Sequence, residues 1–79
     1  MSYIIQLTDQ LPDGKLELTY VREIGRDEDG TINHVSAGSR DEAVAFSDRA
    51  VVIGVAAVVL DSDPSFDDTT YVGVRRIQL

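Results

Sequence analysis

Residues 3–8 alternate, with Tyr3, Ile5 and Leu7 on one side and Ile4, Gln6 and Thr8 on the other. This is the period-two pattern of a β-strand. Leu11-Pro12-Asp13-Gly14 follows with turn chemistry, since proline pre-sets φ and glycine supplies a positive one. Residues 15–24 alternate again: Leu16, Leu18, Tyr20 and Ile24 form an apolar side, broken by Arg22, against Glu17, Thr19 and Glu23. The two segments predict an antiparallel hairpin. Asp27-Glu28-Asp29-Gly30 is a second turn, and residues 31–36 predict a short third strand.

Ser39-Arg40-Asp41-Glu42 has the spacing of a capping box, in which serine and glutamate satisfy each other's backbone N–H groups. Asp41 and Glu42 also suit the positive end of a helix dipole. A helix is therefore predicted over 40–60. Ala43, Phe46, Ala50, Ile53, Ala57 and Leu60 fall on one side of it at 3-4-3-4-3 spacing, and Val44, Val51, Val55 and Val58 widen that stripe. The β-branched residues and Gly54 make a strand over 51–60 the competitor. The capping box and the polar positions Asp48 and Arg49 decide for the helix. Pro64 stops it, and residues 70–79 predict a last strand. The expectation is one α+β domain over 1–79, β-β-β-α-β, with a small antiparallel sheet and one helix packed on one face.

Val52, Ala56 and Val59 lie opposite the helix stripe yet are apolar. A helix that is apolar all round is normally covered on both sides, and one sheet covers one side. Either the loop around Phe66 folds over these three residues or another molecule does, so they are the expected contact of a homodimer or partner.

A chain of 79 residues buries only ~60–65% of its unfolded surface. With no cysteine, it has neither a disulfide nor a thiolate metal site. The apolar run 50–60 is about half of the ~20 residues a membrane span needs. No basic segment followed by an apolar stretch opens the chain. A soluble cytoplasmic protein is expected, with no membrane partner.

The net charge of −7 changes the picture of partners. It repels nucleic acid and favours a basic protein surface. Carboxylates concentrate in two turns: Asp27, Glu28 and Asp29 in one, and Asp61, Asp63, Asp67 and Asp68 in a segment with no basic residue. These seven are the candidate partner-binding residues. An acid-rich proteome produces the same balance with no partner at all.

Catalytic signals are weak. Leu60-Asp61-Ser62-Asp63 resembles the Asp-x-Asp signature of haloacid-dehalogenase-type phosphatases, but that family needs a doubly wound sheet and further motifs. Asp61, Asp63, Ser65 and Asp67 alternate as calcium-loop ligands do, yet Phe66 stands where the loop needs glycine and Val72 where it needs glutamate. His34 is the one imidazole, and without cysteine it anchors no zinc site unaided. Arg75 and Arg76 fall on opposite faces of the last strand. No enzyme and no cofactor is expected.

In size, charge and architecture the chain is similar to phage-encoded inhibitors of host defence, the anti-CRISPR and anti-restriction DNA-mimic proteins. That resemblance implies a non-enzymatic inhibitor occupying a basic nucleic-acid-binding groove. A domain roughly 30 Å across matches a duplex length carrying about 17 phosphate charges. A net charge of −7 is under half of that, which implies a local acidic patch rather than a whole-surface mimic. The strand, Asp-Gly turn, strand and then Gly38-Ser39-Arg40-Asp41-Glu42-Ala43 also resemble the N-terminal part of HicB-type antitoxins, which implies toxin binding. The Pro-Gly-rich segment those proteins carry after the second strand is missing. A third reading is an assembly protein that oligomerises through its apolar helix.

Overall fold

Two turns of one design build the first three strands. In each, a glycine at φ +87°, Gly14 or Gly30, closes the reversal. Its N–H donates to a carbonyl three residues back, Leu11 or Asp27, at 2.9 Å. The aspartate before each glycine accepts from the backbone N–H two residues on: Asp13 from Lys15 and Asp29 from Thr31, both at 3.0 Å. The aspartates of the turns therefore hold backbone as well as carrying charge.

The computed structural model describes residues 1–62 and 69–77. It contains β1 (Ser2–Gln10), β2 (Leu16–Arg26), β3 (Ile32–Gly38), α1 (Arg49–Ser62) and β4 (Thr70–Ile77). The strands form one antiparallel sheet in the order β3-β2-β1-β4. The expected α+β architecture is therefore present. β3 and β4 occupy opposite edges, so α1, which joins them, crosses a sheet face and packs on β4, β3 and β1.

Between strand and helix the chain departs from the expected continuous helix over 40–60. Arg40–Glu42 is a single 3-10 turn, and Ala43 is already extended at φ −60°, ψ 134°. The Ser39–Glu42 pair forms: the Glu42 carboxylate accepts from the Ser39 N–H and hydroxyl, both at 3.1 Å. It closes that turn and nothing longer. The next residues make sheet-like bonds instead. Val44 N–H donates to the Val21 carbonyl at 3.0 Å, and Phe46 and Tyr3 exchange two bonds at 2.8 Å. This segment links β1 and β2 beyond Gln6↔Tyr20, where their mutual pairing ends. The true helix start is Asp48, whose carboxylate accepts from the N–H groups of Ala50 at 2.8 Å and Val51 at 3.4 Å.

The face assignment of α1 is also reversed. Val52 and Val59 are 0% exposed, and Val55 and Ala56 are buried beside them, against Ile5, Leu7, Val21 and Val35 of the sheet. Val52, Ala56 and Val59 are core residues and cannot be the oligomer contact. Most of the predicted inward stripe faces outward: Ala50, Val51, Ala57 and Val58 are exposed and Ile53 is 42% exposed, while Val55 is buried and Leu60 half-buried. Both sides of this helix are apolar, so periodicity alone does not choose between them. The late start at Asp48 removes Ala43 and Phe46 from the helix, and with them the first two members of the stripe.

β2 shows a second inversion. Leu16 and Leu18 are exposed while Val21 is fully buried. The pairing with β3 shifts between Val21 and Glu23, so Val21 and Ile24, three apart, both reach the core side. A bulge of this kind lets odd and even positions share a face. Arg22, the residue that interrupts the alternation, reaches Glu42 at 3.3 Å and the Ser36 hydroxyl at 3.1 Å.

Candidate functional site

The outer face of α1 is the most distinctive surface of the molecule. It is a ridge of apolar side chains, with Val51 50% and Ile53 and Val58 each 42% exposed. Small residues, Ala50, Gly54 and Ala57, run between them and are exposed. A Cβ added at Gly54 would meet nothing within 4 Å, so the middle of the ridge is open. Asp48 caps the helix where it begins, and α1 is oriented by the buried valines beneath.

On one flank a groove of about 530 Å³ runs between α1 and the β2–β3 hairpin. Val51, Val55 and Val58 form its helix wall, and Arg26, Thr31 and Ile32 its hairpin wall. Asp61 lines it near the end of α1, and the turn bearing Asp27, Glu28 and Asp29 joins two of its lining residues, Arg26 and Gly30. All four carboxylates are on exposed residues. The two acidic groups are more than thirty residues apart in the chain, and the fold sets Asp61 and the 27–29 turn about the same groove. Asp63, Asp67 and Asp68, together with the loop around Phe66, lie outside the described residues.

Within the turn the charges are unequal in their commitments. Asp29 is held below its ordinary value of 3.8, first by the Thr31 backbone N–H and then by the Thr31 hydroxyl. Asp27 accepts from the Asn33 amide. The Arg26 guanidinium donates to the Gly30 carbonyl at 3.0 Å rather than to a carboxylate, which leaves the rim net negative.

The opposite flank carries the reverse sign. A cleft of about 360 Å³ is lined by Tyr3, Arg49, Ile53, Val74 and Arg76. Tyr3 and Arg76 are direct partners across β1 and β4, so both stand on the helix side of the sheet. Arg75 stands on the other side, where its Nε donates to Gln6 at 3.2 Å. Among the described residues, neither the Arg49 nor the Arg76 guanidinium has a hydrogen bond or an ion pair. Nothing in the sequence pattern signals this cleft, because strand pairing and a helix start bring together residues far apart in the chain.

His34 is exposed on β3. Among the described residues no group of three or more His, Asp or Glu side chains could hold a metal ion. Also among them, no helix is long and apolar enough to cross a membrane. Fold and site define a small antiparallel α+β protein whose crossover helix is an apolar ridge between flanks of opposite charge. No protein-family model, no curated protein and no solved structure matches this chain.

Proposed function

We propose that this protein is a non-enzymatic, protein-binding inhibitor that occupies a basic surface of a nucleic-acid-handling protein, in the manner of the anti-CRISPR class. The observation that carries the reading is the groove beside α1, with valines along its helix wall and carboxylates about its rim. An apolar wall supplies affinity, while the acidic rim steers a basic partner and sets orientation. A positively charged element with one apolar side, as found in nucleic-acid grooves, meets both requirements. The chain's overall charge of −7 speaks against nucleic acid itself as the ligand of that surface.

The test is capture from host lysate, followed by competition. A captured nucleic-acid-binding protein should be displaced by added duplex DNA, and should lose its own DNA binding in the presence of this protein. Changing Asp27, Glu28 and Asp61 together to the amides should weaken capture more at low salt than at high salt. Capture that ignores both DNA and the three amides sinks the proposal.

A further inference from the structure

We infer that α1 seats a second copy of this chain, related by a two-fold axis running along the helix, so that the acidic rim of each copy lies over the Arg49–Arg76 cleft of the other. The inference rests on the two flanks of α1, not on the reading above, and its test needs no other partner.

The ridge supplies the apolar centre. Val51 and Ile53 stand half exposed on either side of a line of small residues, Ala50, Gly54 and Ala57. Such a line lets two helices approach closely along their length. A ridge this narrow does not make an interface alone. Fourteen residues of helix give a length of about 21 Å, whereas a standard interface buries about 800 Å² per partner. The flanks must be covered too, and their charges decide which arrangement covers them.

One flank is walled by Arg26 and Gly30, and the exposed turn between them carries Asp27, Glu28 and Asp29, so its charge is net negative; the other flank bears Arg49 and Arg76. In a two-fold dimer the same patch serves both copies. An axis perpendicular to α1 sets rim against rim and cleft against cleft, so like charges face each other twice. An axis parallel to α1 sets rim against cleft, so opposite charges face each other twice. The parallel arrangement also gives an acceptor to two guanidiniums that have none among the described residues, in a chain with twice as many acids as bases. Its cost falls on Asp61, which lies on the ridge side of α1 and meets its own copy at one end of the interface.

Sedimentation equilibrium on the full chain tests each part. The wild type should form a dimer whose dissociation constant rises with salt. Ile53→Glu should give a folded monomer by circular dichroism. Arg49→Glu with Arg76→Glu should weaken the dimer by about tenfold or more, as should Asp27→Arg with Glu28→Arg, because each makes both flanks alike in sign. An equimolar mixture of these two variants should form a heterodimer, since each then supplies the sign the other lacks. Asp61→Asn should tighten the dimer by removing the like-charge contact. A wild type that stays monomeric to millimolar concentration overturns the inference. So does a dimer that is indifferent to the arginine reversals, or one that Asp61→Asn weakens.

Discussion

Single side chains divide this protein into residues that hold the fold and residues that face outward, and the division cuts through runs of identical chemistry. Val58 and Val59 are neighbours in the chain, yet one is 42% exposed and the other 0%. Val59→Ala should cost about 2 kcal/mol in urea unfolding, from two lost methyl groups and the space they leave. Val58→Ala should stay within about 0.5 kcal/mol. The carboxylates divide in the same way. Glu42 is held below its ordinary value of 4.5, first by the Ser39 N–H, then by the Ser39 hydroxyl and the Arg22 guanidinium. Its contribution to stability is present above pH 4.5 and is lost as pH falls through its lower folded value. A carboxyl titration followed by NMR should find the Glu42 midpoint below 4.5, and Ser39→Ala with Arg22→Ala should move it upward. A midpoint that ignores both substitutions removes this account. The side chain is too exposed for the effect to be large.

Elements in this chain are set by their ends more than by their middles. Both hairpins close through the same Asp-Gly arrangement, and each was visible from four residues. The sequence signals a helix start at Ser39, whereas α1 begins nine residues later, after Asp48. The first is a genuine local signal that closes one 3-10 turn. The second begins α1, because the intervening backbone bonds to Val21 and Tyr3 and so cannot coil. Asp48→Ala should therefore lower stability by about 1 kcal/mol and reduce helical circular dichroism. Ser39→Ala should leave the helical signal unchanged. Equal losses of helix from the two variants would return the start to residue 40.

The whole molecule is thin, 37 × 31 × 19 Å, as one sheet and one helix must be. A single layer of helix covers a single face, and the other face of the sheet keeps Leu18 and Tyr71 exposed, both paired to Thr8 of β1. The helix in turn shows its outer side. The two proposed occupants of its ridge, a second copy and a foreign partner, would exclude each other, since both need the groove beside Val51 and Val58. Self-association and partner capture should therefore compete. Ile53→Glu, expected to abolish the dimer, leaves the groove lining intact and should raise capture at a fixed protein concentration.

Much of this organisation was legible before any coordinates. Alternation located β1 and β2, the two Asp-Gly turns placed the hairpins, and the segments left after the second turn and after Pro64 marked β3 and β4, because turn geometry and strand period are local properties of a few residues. The acidity of the 27–29 turn and of Asp61 was equally plain. Tertiary structure decided the rest. Which side of α1 is buried could not be read from a helix apolar on both sides, since only docking against Ile5, Leu7, Val21 and Val35 distinguishes them. Pairing of Leu16 with Gln10 and of Leu18 with Thr8 set the apolar side of β2 on the face away from α1, and the bulge after Val21 brought Ile24 to the core side, an irregularity that periodicity does not register. The Arg49–Arg76 cleft exists only because β4 returns beside β1 and α1 begins above them. Local chemistry determined the elements, and the faces they present to one another and to a partner came from long-range packing.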